Sequence, residues 1–196
     1  MADNMAPLPS DDAPLTTSKK GRGEQARDTL IEPTGDTLVG KTVTINRPRA
    51  ELYAFWRDMA NLPRFMENVV SVVPVGEGRT HWTVKAPAGK TVEWISAITE
   101  DKPNETIAWT SEHGADVPNS GRVDFRDAPG VRGTWVSVTI LYDPPAGIIG
   151  RAVAKMFQRE PAIQARRDLR RFKQLMETGE IATSARTRKA FEEEEV

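Results

Sequence analysis

The chain has 196 residues, 38% hydrophobic and 28% charged, with Lys+Arg 27 against Asp+Glu 28. That is the make-up of a globular chain of one ordinary domain or two small ones, and a net charge of −1 supplies no field to recruit nucleic acid. Zero cysteines exclude disulfides, a thiol nucleophile and sulfur-ligated zinc, and two histidines, His81 and His113, make a histidine-built metal site implausible.

Residues 1–39 hold no aromatic side chain, four prolines, and seven acids against four bases. So little apolar surface cannot offset the entropy of ordering, and the segment is expected to be a disordered leader. It has no apolar run of signal-peptide length, and no stretch of the chain approaches the roughly 18 apolar residues of a membrane span. The expected location is therefore cytoplasmic. At its end, Gly35-Asp36-Thr37-Leu38-Val39-Gly40-Lys41-Thr42 fits the phosphate-loop pattern. That mechanism needs a strand before the glycines and a helix after the lysine, whose N-terminal N–H groups hold the phosphates. Here Val43-Thr44-Ile45 runs on as a strand, so nucleotide binding is set aside.

Residues 40–177 contain every tryptophan, all but one phenylalanine, and 20 bases against 16 acids. This stretch is the expected domain. Residues 41–45 alternate as a short strand. Pro48 suits the first position of a helix carrying Leu52, Phe55, Trp56 and Met59, and Asn61-Leu62-Pro63 breaks it before a short helical piece with Phe65 and Met66. From residue 69 the period becomes two. Strands are predicted over 69–75, 81–86, 91–100, 106–111, 121–126 and 134–142, separated by Gly, Pro, Asn and Asp clusters too short for parallel crossovers.

After Pro144-Pro145 comes the longest helical pattern. Ile149, Val153, Met156 and Phe157 share a face, and Leu169, Phe172, Leu175 and Met176 continue a similar stripe. Pro161 between them predicts a kink or restart, and Gly179 closes the helix. Residues 178–196 end in Glu192-Glu193-Glu194-Glu195, which reads as a solvated acidic tail. An antiparallel sheet with segregated helices is an α+β fold.

The order of strand, two short helices, six strands and a long helix resembles the START-like (SRPBCC) helix-grip fold, a curved sheet of about seven strands around a long C-terminal helix. Local features add to it. Pro48-Arg49-Ala50-Glu51-Leu52-Tyr53-Ala54-Phe55-Trp56 followed by Asn61-Leu62-Pro63-Arg64-Phe65-Met66 is similar to the opening of the bacterial polyketide cyclase/dehydrase-like, coenzyme Q-binding-like members. Glu93-Trp94, Ile107-Ala108-Trp109 and Gly133-Thr134 follow the same pattern. The resemblance covers residues 40–177. It implies a cavity between sheet and helix, in a superfamily that hosts lipid and small-molecule carriers and enzymes alike.

Alternation sorts the rings. Val92, Trp94 and Ile98 point one way; Trp82 goes with Val84, Ile107 with Trp109, Phe125 with Val123, and Val136, Val138 and Ile140 with Tyr142. Such rings fill a core or line a pocket, and a pocket of this kind is apolar with few polar anchors. Phe65, Trp82, Trp94, Trp109, Phe125, Val138 and Phe157 are the candidate ligand-binding residues. Glu93 and His81 should face away from it. For chemistry the sequence offers only His113 and Asp116, in a loop at a cavity mouth, and Tyr142. There is no nucleophile elbow and no metal motif. Neither a cofactor nor a metal is expected.

Residues 150–178 carry eight bases, Arg151, Lys155, Arg159, Arg166, Arg167, Arg170, Arg171 and Lys173, against Glu160, Asp168 and Glu177. Such a helix is either a solvated face or a contact for an anionic membrane surface. No aromatic interleaves the arginines as a single-stranded nucleic acid site requires. The inventory points to binding, with possible transport, of a hydrophobic small molecule or lipid. Cyclase/dehydrase chemistry and a non-enzymatic interaction module are the alternatives.

Overall fold

The computed structural model describes residues 37–86, 89–143 and 161–182. Seven strands are present: β1 (Thr37–Ile45), β2 (Val69–Gly76), β3 (Arg79–Lys85), β4 (Thr91–Lys102), β5 (Thr106–Ser111), β6 (Asn119–Asp127) and β7 (Thr134–Tyr142). They form one sheet, ordered β1-β7-β6-β5-β4-β3-β2, in which every pairing is antiparallel. α1 (Arg49–Arg57) and a 3-10 turn (Met59–Arg64) link β1 to β2, and α2 (Pro161–Thr178) follows β7. This is the α+β helix-grip architecture. Neighbouring strands from β2 to β7 are joined in sequence, and the first strand closes against the last.

β1 starts four residues earlier than the alternation suggested. It pairs along all of β7, from Thr37 opposite Tyr142 to Ile45 opposite Thr134, so its first three residues lie in the stretch assigned to the leader. This pairing also disposes of the phosphate-loop pattern: Gly40 and Lys41 are extended strand opposite Thr139 and Val138. Pro48 stands just before α1, in extended backbone at ψ 142, rather than inside it. The 3-10 turn ends before Phe65, whose N–H donates to the Leu62 carbonyl. At the far end Gly179 adopts φ +83 and donates to the Leu175 carbonyl, closing α2 as its sequence position implied.

Two glycines are structural necessities. A Cβ on Gly133, at φ +89, would lie 2.1 Å from the Ile45 carbonyl oxygen. One on Gly121 would lie 2.2 Å from Cζ2 of Trp109, whose indole lies flat over that glycine from the partner strand.

β4 departs from strict period two. Its pairing with β5 slips between Ile98 and Glu100, an irregularity that inserts one residue and turns the strand over. Ile98 stays opposite Trp109 on the inner face, while Glu100 turns to the outer face and meets the Arg122 guanidinium at 2.6 Å. Asp124 joins at 2.8 Å, and Thr106 Oγ1 donates to the same Asp124 oxygen.

The core lies between the inner face of the sheet and the helices. At one end Trp56, Phe65, Phe125 and Phe172 interlock, with Phe65 and Phe172 at 4.7 Å between centroids and Trp56 at 5.2 Å from each. All four are essentially fully buried. The C-terminal half of α2 is bolted over this end. Lys173 donates to the Thr44 carbonyl at 2.6 Å, Arg171 to the Phe65 carbonyl at 2.9 Å, and Arg47 to the Glu177 carbonyl at 2.9 Å. The opposite end of the same layer is where the functional question lies.

Candidate functional site

Beneath the N-terminal half of α2 the layer is hollow. A cavity of about 160 Å³ opens there, comparable to apolar cavities that take one small aromatic ring. Its floor is three tryptophans on consecutive strands: Trp82 of β3, Trp94 of β4 and Trp109 of β5. Trp82 and Trp94 are direct cross-strand partners, stacked with centroids 6.0 Å apart and planes 8° from parallel.

Both indole N–H groups are spoken for. Trp82 donates to Thr80 Oγ1 at 3.0 Å and Trp94 to Ser96 Oγ at 3.1 Å, and Thr80 and Ser96 are themselves cross-strand partners. The hydroxyl pair thus satisfies the polar edges inside the sheet, and the rings contribute apolar faces to the cavity. Val39, Ile140 and Tyr142 close one side, where β1 pairs with β7. The roof is Gln164, Ala165 and Asp168 of α2, and the rim is Met66 and Asn68, between the 3-10 turn and β2.

Asp168 is the unusual member of this wall. Its Oδ1 accepts from Gln164 Nε2 at 2.9 Å and from the Glu67 N–H at 3.2 Å. Among the described residues no cation comes within ion-pair distance of it. Burial pushes its carboxyl up to about 6, against the opposing pull of those two hydrogen bonds and of Arg171. In the sequence Asp168 reads as one of the charges of a basic, solvated helix. Its position carried a signal: Ala165, Asp168, Leu169, Phe172 and Leu175 fall at helical spacing on one stripe, and that stripe is the inward one.

The other candidates distribute as follows. Trp82, Trp94, Trp109 and Tyr142 stand on the cavity wall. Phe65 and Phe125 belong to the ring cluster at the packed end, and Val138 is buried in the same core, so none of the three reaches the wall. Trp56 of α1 and Phe172 of α2 pack tilted against Phe65, and Tyr53 and Trp56 of α1 meet Phe125 edge-on, so rings occupy the space over both. Phe157 lies outside the described residues.

His113 is exposed on the β5–β6 connection, and Asp116 beside it accepts the Glu93 N–H at 2.8 Å, a contact that pins the loop to β4. Neither is on the cavity wall. His81 and Glu93 do face away from it, 3.5 Å apart. Of the basic residues, Arg171 and Lys173 are spent on backbone carbonyls, Arg166, Arg167 and Arg170 are exposed, and Arg151, Lys155 and Arg159 lie outside the described residues. Among the described residues there is no group of three His, Asp or Glu that could hold a metal ion, and no helix is long and apolar enough to cross a membrane.

The comparisons with known proteins converge on this architecture. Residues 45–170 match the family model for polyketide cyclase / dehydrase and lipid transport. A Deinococcus radiodurans protein of known structure is 44% identical, with a TM-score of 0.60 over 73% of this chain and 99% of that one. An aromatase/cyclase from Streptomyces sp. R1128 shares the fold at 16% identity, with a TM-score of 0.52 over 74% of this chain and 99% of its own. An uncharacterized 17.2 kDa protein of Streptomyces lincolnensis is 30% identical over 87 residues, a match that takes in 44% of this chain and 57% of that protein.

Proposed function

The chain belongs to the polyketide cyclase / dehydrase and lipid transport family, and from that premise we propose that it binds a small hydrophobic, ring-bearing molecule in the cavity between sheet and α2. The observation that carries this is the wall itself: three indoles, two of them with their donors turned into the strands, facing residues too small to fill the space over them. Binding then comes from removing apolar ligand surface from water, about 25 cal/mol per Å². The binding unit is the domain within residues 40–177 together with the start of β1.

The test is quenching of tryptophan fluorescence, since three of the five tryptophans line the cavity. Small quinones and other single-ring apolar compounds should quench saturably. A flat response across the panel sinks the reading. The exposed Arg166, Arg167 and Arg170 make delivery at an anionic membrane part of the same proposal, and it fails if liposome co-sedimentation is indifferent to anionic lipid content.

Cyclase or dehydrase chemistry is the second reading, favoured by one observation. Two titratable side chains, Tyr142 and Asp168, stand on the wall of a cavity that would hold a flexible substrate in place. Turnover of a polyketide-like substrate that is lost with Asp168→Asn distinguishes it from simple carriage.

A further inference from the structure

A wall of valines and indoles holds a ligand but does not orient it. Orientation needs a polar contact, and most of the polar groups around this cavity are already committed. The Trp82 and Trp94 N–H groups are bonded to Thr80 and Ser96, Asn119 Nδ2 donates to the Val117 carbonyl at 2.8 Å, and Gln164 Nε2 donates to Asp168. Asp168 differs from them. Both of its hydrogen bonds to the described residues fall on Oδ1, and among those residues no protein donor reaches Oδ2. A carboxylate in a low-dielectric wall with an oxygen to spare is a strong acceptor.

We infer that Asp168 is the orienting anchor of the cavity, accepting a hydrogen bond from the hydroxyl of a phenol-like ligand whose ring packs on Trp82, Trp94 and Trp109. This assignment rests on the ligand-binding reading above and narrows it to one chemical class: an apolar ring with a hydroxyl at one end. The volume fits, since about 160 Å³ takes a single substituted ring. The scaffold around Asp168 holds it in place for the task. Its Oδ1 is tied to the Glu67 N–H and to Gln164 one turn back along α2, and Arg171 fastens the same loop through the Phe65 carbonyl.

Several charges face Asp168. On its own helix there is Arg171; from the loop before β2 there is Glu67, whose carbonyl accepts from the Lys85 ammonium of β3 at 3.1 Å; Tyr142 lies on the same wall. Arg171 favours the carboxylate, while Glu67 and burial favour the acid, so the group titrates near 6. A hydroxyl donor prefers the carboxylate. Its affinity is therefore full well above pH 6 and falls as the group is protonated.

The experiment is isothermal titration calorimetry of the full chain with 4-ethylphenol and with ethylbenzene at pH 8 and pH 5. Phenols stay protonated across that range, so only the protein titrates. In the unaltered protein 4-ethylphenol should bind about tenfold more weakly at pH 5, while ethylbenzene should not weaken. Asp168→Asn keeps the shape and an acceptor for Glu67, and it should flatten the 4-ethylphenol profile. A 4-ethylphenol profile that is flat in the unaltered protein, or equally steep in Asp168→Asn, overturns the anchor while ethylbenzene binding keeps the cavity reading alive. Binding of neither compound overturns both.

Discussion

At the α1 end of the sheet–helix layer, Trp56, Phe65, Phe125 and Phe172 fill the space completely; at the other end Trp82, Trp94 and Trp109 leave about 160 Å³ open. The two ends use the same class of side chain. They differ in where the rings come from. At the packed end they arrive from both sides, with Trp56 on α1 meeting both Phe125 on β6 and Phe172 on α2. At the hollow end the large rings stand on β3, β4 and β5, and α2 places Gln164, Ala165 and Asp168 opposite them. A ring facing a ring makes a core; a ring facing alanine and a carboxyl makes a cavity.

Phe172→Ala should give the largest effect on stability. Phe172 is fully buried and touches three other rings, so truncation costs about 3–5 kcal/mol in transfer and void. Urea denaturation measures it. A loss under about 1 kcal/mol would mean that this end is not tightly packed and would erase the contrast between the ends.

Asp168→Asn tests the hollow end through pH. The folded carboxyl titrates near 6 against an ordinary 3.8, so the native state holds the proton more tightly than the unfolded chain. The stability this group contributes is full below about pH 4 and is lost as pH rises through about 6. At pH 8 the Asn variant should therefore be more stable than the parent by about 1–2 kcal/mol, with the gap closing near pH 4. Denaturant midpoints at the two pH values decide it. Equal midpoints at pH 8 would place Asp168 in water rather than in an apolar wall.

Much of this was legible in the sequence. Seven strands, the helix closing at Gly179 and the inward set of Val136, Val138, Ile140 and Tyr142 all follow from period two, helical spacing and turn residues. Periodicity gives a residue's face and stays silent about what stands across from it. That is why Phe65, Phe125 and Val138 read in sequence as equivalents of Trp82, Trp94 and Trp109, although of these six only the tryptophans line the hollow. The bulge at Thr99 was equally invisible. A single inserted residue moves Glu100 to the outer face and into the Arg122 pair, and no composition or turn signal marks it. Asp168 was hidden by its charge, since a carboxylate on a basic helix reads as solvated until its stripe is followed inward.

Ala165→Leu attacks the same contrast from the opposite side. Ala165 is on the roof of the cavity, so added methyl groups project where the packed end has a ring. Filling an existing void should leave stability unchanged or raise it by about 0.5–1 kcal/mol, while ligand binding falls sharply. Retained binding in a stable Ala165→Leu variant would mean that the ligand sits elsewhere.

His113→Ala should do least. A histidine on a loop looks like a catalyst because imidazole titrates near neutrality, but a general acid or base must come within hydrogen-bond reach of its substrate. His113 is exposed on the β5–β6 connection and absent from the cavity wall. Its neighbour Asp116 is held down by the Glu93 N–H, which fixes the loop against β4 whether or not the imidazole is present. Removal should therefore change stability by less than about 0.5 kcal/mol and leave quenching by ligand intact. A tenfold loss of ligand affinity in this variant would bring the loop into the site, and the cavity wall would then extend outward to include it.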